Sequence, residues 1–424
     1  MIPLLVAFFL LTYLAITLEH PLRVNKSASA LLGAGVLWIV YALTASDTTA
    51  VAKELSATLS STAEIAFFLM GAMAIVEVID SHAGFDVITA RIRTQSLVAL
   101  MWLVCGVTFL LSAALDNLTT TIVMVSLLRK LLARHEDRLL FSGMIVIAAN
   151  AGGAWSPIGD VTTTMLWIGG QITAITIMKS LLVPSLINLA LPLGFVSWSL
   201  RHAAVLSPDA AHAAGHSTTE MERNLMFFLG IGVLIAVPAF KAITHLPPFL
   251  GVLLGLGLIW LVGDLLHKNK SQEARDQLNL TQALSRIDLS SIIFFVGILL
   301  AVATLEHSHI LTAAATWLDA TVGRQDYIVL LIGILSAVVD NVPLVASSIG
   351  MYSLEQHPAD SFMWEFLAYC AGTGGSILII GSAAGIAAMG IEKIKFSWYL
   401  RKMTPLALVG YFAGAIFYIL ERSA

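Results

Sequence analysis

Charge is what this sequence most lacks. Lys, Arg, Asp and Glu make up 12% of its 424 residues, hydrophobic residues 58%, and the mean hydropathy is +0.87. Soluble domains carry about 25% charged residues, so there is too little polar surface here to cover a water-facing globule. A soluble enzyme and a disordered chain are excluded, and a lipid bilayer is the expected surrounding. A basic excess is missing too: 23 Lys and Arg stand against 27 Asp and Glu, for a net charge of −4. No face for phosphate backbones follows, and no nucleic-acid partner. Cysteine is almost absent. Cys105 and Cys370 both sit inside apolar runs and read as small buried hydrophobes, not as a disulfide. The opening MIPLLVAFFLLTYLAITL has neither a basic start nor a small-residue cleavage site, so residues 1–18 read as a retained helix.

What is present is a succession of apolar runs. Those of roughly spanning length, about 17 to 25 residues, occupy 28–45, 63–80, 95–115, 173–199, 223–240, 247–266, 290–306 and 398–420. Four stretches are irregular: 118–132 and 342–354 are short, and 139–170 and 363–391 are interrupted by glycines. Unpaired backbone groups facing lipid cost several kcal/mol each, so these breaks must be buried in protein or line a cavity.

Lys and Arg near helix ends favour the cytoplasm. Treating 95–132 as a hairpin that enters from inside and turns at Asp116 and Asn117, and 326–354 as one that enters from outside and turns at Asp340 and Asn341, leaves only Lys53, Lys179, Lys241, Arg324 and Arg422 outside; the other 18 of 23 basic residues fall inside. The hydrophilic loops 200–222 and 267–289 are too short for domains and read as cytoplasmic connectors.

The two halves repeat. LSAALDN (111–117) recurs as LSAVVDN (335–341), NAGGAWSPIGD (150–160) parallels GTGGSILIIGS (372–382), and Ser81-His82 precedes the first motif much as Ser308-His309 precedes the second. Matches in one order make a repeat, and hairpins entering from opposite faces make it inverted, an arrangement that places transport sites at the midplane. The expected fold is an all-α integral membrane protein with an inverted repeat, two re-entrant hairpins and two discontinuous helices. Its organisation is one polytopic domain over 1–424, with the first repeat at 63–199, connecting transmembrane helices at 223–266 and the second repeat at 290–420.

A carboxylate in the middle of an apolar stretch costs about 2.5 to 3.5 kcal/mol on insertion scales, so Asp116, Asp160 and Asp340 demand a reason. One is structural: each Asp caps the half-helix that follows it. The other is cation binding. Hard ions such as Na+ take oxygen ligands from carboxylates, amide carbonyls, hydroxyls and the free carbonyls of broken helices. Thr119, Thr120 and Thr121 follow the first Asp-Asn, Thr162, Thr163 and Thr164 follow Asp160, and Ser112 and Ser336 stand one turn before their Asp residues. Threonine in an apolar helix more often bonds its own backbone, so Asp116 and Asp160 carry the reading. Glu64 reads as interfacial and Glu77 as snorkelling. The histidines fall in loops or at helix ends, where most are solvated, although His82, His307 and His309 can titrate near neutrality.

The strings LSAALDNLTTTIV, NAGGAWSPIGDVTTTMLWIGGQIT, LSAVVDNVPLVAS and GTGGSILIIGSAAG resemble those of the NhaD-type sodium/proton antiporters of the ion-transporter superfamily. The resemblance covers nearly the whole chain. It implies exchange of Na+ or Li+ for H+ across the cytoplasmic (inner) membrane without a cofactor, in a homodimer. Carried over, the family's ion site would comprise Ser112, Asp116, Asn117, Thr119, Asn150, Asp160, Thr162 and Thr163, with Ser336, Asp340, Asn341 and Ser376 in the second repeat. That repeat departs where Ser382 replaces Asp160 and Pro343 replaces Thr119. The same superfamily includes carriers of citrate, dicarboxylates and arsenite, for which neutral tips would be expected; both tips here bear Asp. An intramembrane aspartyl protease would need Gly-x-Gly-Asp, but Asp160 follows Pro157-Ile158-Gly159 and Asp264 follows Leu261-Val262-Gly263.

Overall fold

The computed structural model describes residues 2–19, 23–45, 47–89, 94, 96–201, 218–268, 270–272, 275, 278–338 and 341–423. Asp340 and the basic residues Arg91 and Arg93 lie outside the described residues.

Twenty α-helices run through them: α1 (Ile2–Thr17), α2 (Lys26–Thr44), α3 (Thr48–Ser81), α4 (Asp86–Thr89), α5 (Leu97–Leu115), α6 (Asn117–Leu131), α7 (His135–Ala154), α8 (Val161–Ile168), α9 (Ala174–Leu200), α10 (Glu220–Thr244), α11 (Pro248–His267), α12 (Leu280–Arg286), α13 (Leu289–His307), α14 (Ile310–Val322), α15 (Gln325–Leu335), α16 (Asn341–Met351), α17 (Phe362–Gly374), α18 (Ala383–Glu392), α19 (Phe396–Lys402) and α20 (Thr404–Ser423). Eight are long and apolar enough to cross a membrane: α2, α3, α5, α9, α10, α11, α13 and α20.

The two glycine-rich stretches are broken helices, as the sequence requires. α7 stops at Ala154 and α8 begins at Val161, while α17 stops at Gly374 and α18 begins at Ala383. Every residue of 141–154 and of 363–374 is buried. A helix apolar all round belongs in a core, and here α7 and α17 touch each other at the centre of the molecule.

The sequence repeat is also a repeat of contacts. A Cβ on Gly152 would lie 2.3 Å from the Phe109 carbonyl oxygen, and one on Gly374 would lie 2.0 Å from that of Gly333. Gly159 presses on Ser112 and Ala113 as Gly381 presses on Ser336 and Ala337. Each hairpin thus lies backbone to backbone on its broken helix, at positions that only hydrogen side chains permit. Gly152→Ala is expected to lower thermal stability by about 1 to 3 kcal/mol, the usual overpacking cost, and melting of the detergent-purified protein reads it. An unchanged Tm would show that the contact relaxes freely.

The folded chain corrects several readings of the sequence. The run 398–420 is two helices, α19 and α20, separated at Met403. Pro405, just inside α20, suits a helix start and not an interior. The run 63–80 extends back to Thr48, where Asp47 accepts hydrogen bonds from the Thr49 and Ala50 amides. The polar residues 48–62 had hidden this extension. Helix α14 was not anticipated. His82 and His267 are 0% and 4% exposed, their Nε2 atoms 3.2 Å apart, so neither is solvated. Cys105 and Cys370, in agreement with the sequence reading, are buried free thiols. Glu77 pairs with Arg286 at 3.5 Å.

Candidate ion-binding site

Asp116 is the single residue between α5 and α6. Its backbone, at φ 118° and ψ 160°, is in a region that essentially only glycine adopts, at a cost of about 1 to 3 kcal/mol for other residues. The carboxylate fixes that geometry: Oδ1 accepts from the Thr119 amide and Oδ2 from the Thr119 hydroxyl, both at 2.8 Å. Asp116 therefore caps α6, and the structural reading of the carboxylate is realised. It does not account for the rest of the cluster, because Asn would cap as well.

Asp160, 2% exposed, ends the loop between α7 and α8. Its Oδ1 accepts from the Thr162 amide (2.9 Å) and hydroxyl (2.8 Å), again a cap, and its Oδ2 accepts from Asn117 Nδ2 at 2.6 Å. Asn341 Nδ2, from the start of α16, lies 3.5 and 3.4 Å from the same two oxygens. Asn117 also donates to Asn150 Oδ1 (3.0 Å), and Asn150 Nδ2 donates to Ser376 Oγ and Ser382 Oγ, each at 2.9 Å. One continuous polar chain thus joins the starts of α6 and α16 to the breaks of both discontinuous helices. Surrounding it are the positive N-terminal ends of α6, α8, α16 and α18 and the negative C-terminal ends of α5, α7 and α17.

The structure brings together Asp116, Asn117, Thr119, Asn150, Asp160, Thr162, Asn341 and Ser376, all expected from the sequence. It gives three others different work. Ser112 Oγ donates to the Ala149 carbonyl (2.6 Å) and Ser336 Oγ to those of Gly333 and Ala371 (2.8 and 3.1 Å), so both clamp a hairpin to its broken helix. Thr163 Oγ1 donates to the Asp160 carbonyl at 2.9 Å, the local bond expected of threonine in an apolar helix. Thr120 and Thr121 are buried with hydroxyls that make no hydrogen bond among the described residues. In the sequence Ser382 stands out as a departure from the Asp160 pattern. It is instead a member of the cluster, accepting from Asn150 and from the Gly385 amide (3.2 Å), so it caps α18 where Asp160 caps α8. Its alignment with Asp160 was the available signal.

The cluster opens to one side. A narrow cleft is lined by Asp116, Asn117, Asp160, Thr164 and Asn341 together with Lys26 and Ser291. Lys26, Leu118, Ser291 and Ala383 also line an adjoining cleft of about 820 Å³ whose polar wall includes Glu19 and Asp288. Between α3, α8, α13 and α16 lies a separate cleft of about 1080 Å³ with Thr58, Glu64, Glu306 and His307 in its wall, and it includes none of the cluster.

Comparison with known proteins agrees with this architecture. The family described as "Citrate transporter" matches residues 11–366. "Sodium/proton antiporter 1" of Arabidopsis thaliana is 48% identical over 407 residues, covering 96% of this chain and 70% of that one. The Na(+)/H(+) antiporter NhaD of Vibrio cholerae serotype O1 is 30% identical over 440 residues, covering 97% and 90%. Among solved structures, the YdaH transporter of Alcanivorax borkumensis superposes with a TM-score of 0.59 at 14% identity, covering 98% of this chain and 97% of that one, which establishes a shared fold. With a polar cluster at paired helix breaks, and with relatives this similar over nearly the full length, the chain belongs to the NhaD-type sodium/proton antiporters within the citrate-transporter family.

Proposed function

We propose that this protein exchanges Na+ or Li+ for H+ across the cytoplasmic membrane, with both ions competing for one site built on Asp116 and Asp160. The observation that carries the reading is Asp160: a carboxylate 2% exposed, at the junction of both hairpins and both broken helices. A buried carboxylate takes either a proton or a metal cation, so one site serves both ions in turn and exchange needs no separate coupling device. Asn117, Asn150, Thr119, Thr162, Asn341 and Ser376 complete the oxygen set by small rotations. Occupancy by protons at acid pH makes exchange weak there; it rises at neutral to alkaline pH.

The hairpins α5–α6 and α15–α16 are proposed to be re-entrant, the repeat inverted, and the protein a homodimer. The charge distribution supports the threading, and relatives named as sodium/proton antiporters support Na+ and H+ as the ions. Cysteine introduced at the exposed Arg134 or Gln356, in a background without Cys105 and Cys370, is expected to react with impermeant maleimide from the cytoplasmic and external faces respectively. Labelling of both from one face would reject the inverted arrangement.

Anion carriage is a second reading, favoured by Lys26 in the wall of the cleft and by the family's description. Two carboxylates in the same wall oppose it. Collapse of a pH gradient in everted vesicles on adding NaCl, LiCl, KCl or citrate separates the readings: NaCl and LiCl respond if exchange is correct, citrate if it is not.

The second repeat is proposed to contribute less to the ion. Ser382 stands in place of an acid, and Pro343 has no hydroxyl, so that side offers fewer oxygen ligands. Asp340→Asn should chiefly raise the apparent KM for Na+ while keeping measurable maximal exchange. Complete loss would show that the two repeats contribute equally.

A further inference from the structure

Lys26 begins α2, with Asn25 as N-cap, and the Glu19 carboxylate accepts its backbone N–H at 3.1 Å. Its side chain reaches inward, and Nζ is 4.4 Å from the centroid of the Phe294 ring. A cation on an aromatic face gains attraction without giving up its charge. Lys26 is also the only cationic side chain among the described residues that line the cleft containing Asp116 and Asp160, and it stands where that cleft meets the one leading past Glu19 and Asp288. The ion's path between cluster and mouth therefore passes a fixed positive charge.

We propose that Lys26 is the resident counter-cation of the ion site, competing with Na+ for the field of the carboxylates and thereby setting the apparent Na+ affinity. This inference rests on the exchange reading above. With the cleft empty, the ammonium offsets the negative charge of the cluster. With Na+ bound, the two cations repel. The lysine thus raises the free energy of the Na+-loaded state relative to the empty one, which weakens binding and speeds release. Ser291, across the same junction and lining both clefts, bonds through its own hydroxyl to Asp288. It provides a second place from which a cation would face the cleft.

Exchange kinetics at alkaline pH, where proton occupancy is low, test this in everted vesicles with membrane levels measured for each variant. In K26M the KM for Na+ should fall roughly tenfold, on the order expected when one like charge is removed from the same partly wet cleft. K26R should keep a KM near that of the unaltered chain, and K26M combined with S291K should raise the KM back toward it. A residue that only held α2 in place would give the opposite signature, with lower maximal rate and an unchanged or higher KM. If K26M does not accumulate, S291K alone decides: a second cation at the junction should raise KM several-fold. Absence of any Na+ response in the unaltered protein would reject the exchange reading. An active protein in which K26M leaves KM unchanged or raises it, or in which S291K leaves it unchanged, would overturn the role of Lys26.

Discussion

Asp116→Asn is expected to reduce Na+-driven exchange to the background of empty vesicles while the protein inserts and folds. Asparagine caps a helix about as well as aspartate, and its Oδ1 can accept from the Thr119 amide as the carboxylate does. It is isosteric with aspartate, so the strain of the backbone at φ 118° is the same for both residues. What disappears is the charge. A neutral amide does not release a proton on arrival of Na+, and it offers one carbonyl oxygen in place of an anionic pair. Asp160→Asn should be equally silent and also less stable, because its Nδ2 would face other donors, Thr162 or Asn117 and Asn341. Dequenching of a pH gradient, with membrane levels and melting temperature measured in parallel, checks both. Normal transport in either variant removes that Asp from the mechanism.

Asn150→Ala is the second large effect. Asn150 is 0% exposed and binds Asn117, Ser376 and Ser382 at once. Its removal leaves three buried polar groups short of a partner, each costing about 1 to 3 kcal/mol. It also severs the hydrogen bonds by which α7 links Asn117 to the second broken helix. Both a lowered melting temperature and a loss of exchange beyond tenfold are expected. The paired double variant with Ser376→Ala should cost less than the sum of the single changes, since the two share one bond. Additive losses would show that Asn150 and Ser376 act independently.

The parts of this fold that were legible in the sequence share one physical cause. Lipid does not satisfy an unpaired backbone, so glycines and carboxylates inside apolar runs had to mark buried helix breaks. Asp116, Asp160, the Gly152-Gly153 pair and the doubled Leu-Ser-Ala motif could be read that way. The illegible parts depend on which elements meet. His82 looks like a loop residue until α11 places His267 against it. Ser382 looks like a missing acid until Asn150 reaches it across the repeat. Lys26 looks like one of many inward-facing charges until α2 and α13 bring it to the cleft. The amphipathic α14 and the break at Met403 escaped for a different reason: neither differs enough from its neighbours in hydropathy to register in a search for spans.

Competition between Na+ and H+ for the Asp116 and Asp160 cluster is the centre of this account. It is tested most directly by the apparent KM for Na+ measured at a series of external and internal pH values held equal. Competition requires that lowering the pH on the acid side raise KM, approaching tenfold per pH unit for one proton displaced, while the maximal rate at saturating Na+ stays constant. A maximal rate that falls with pH at constant KM would contradict a shared site and require separate sites for the two ions.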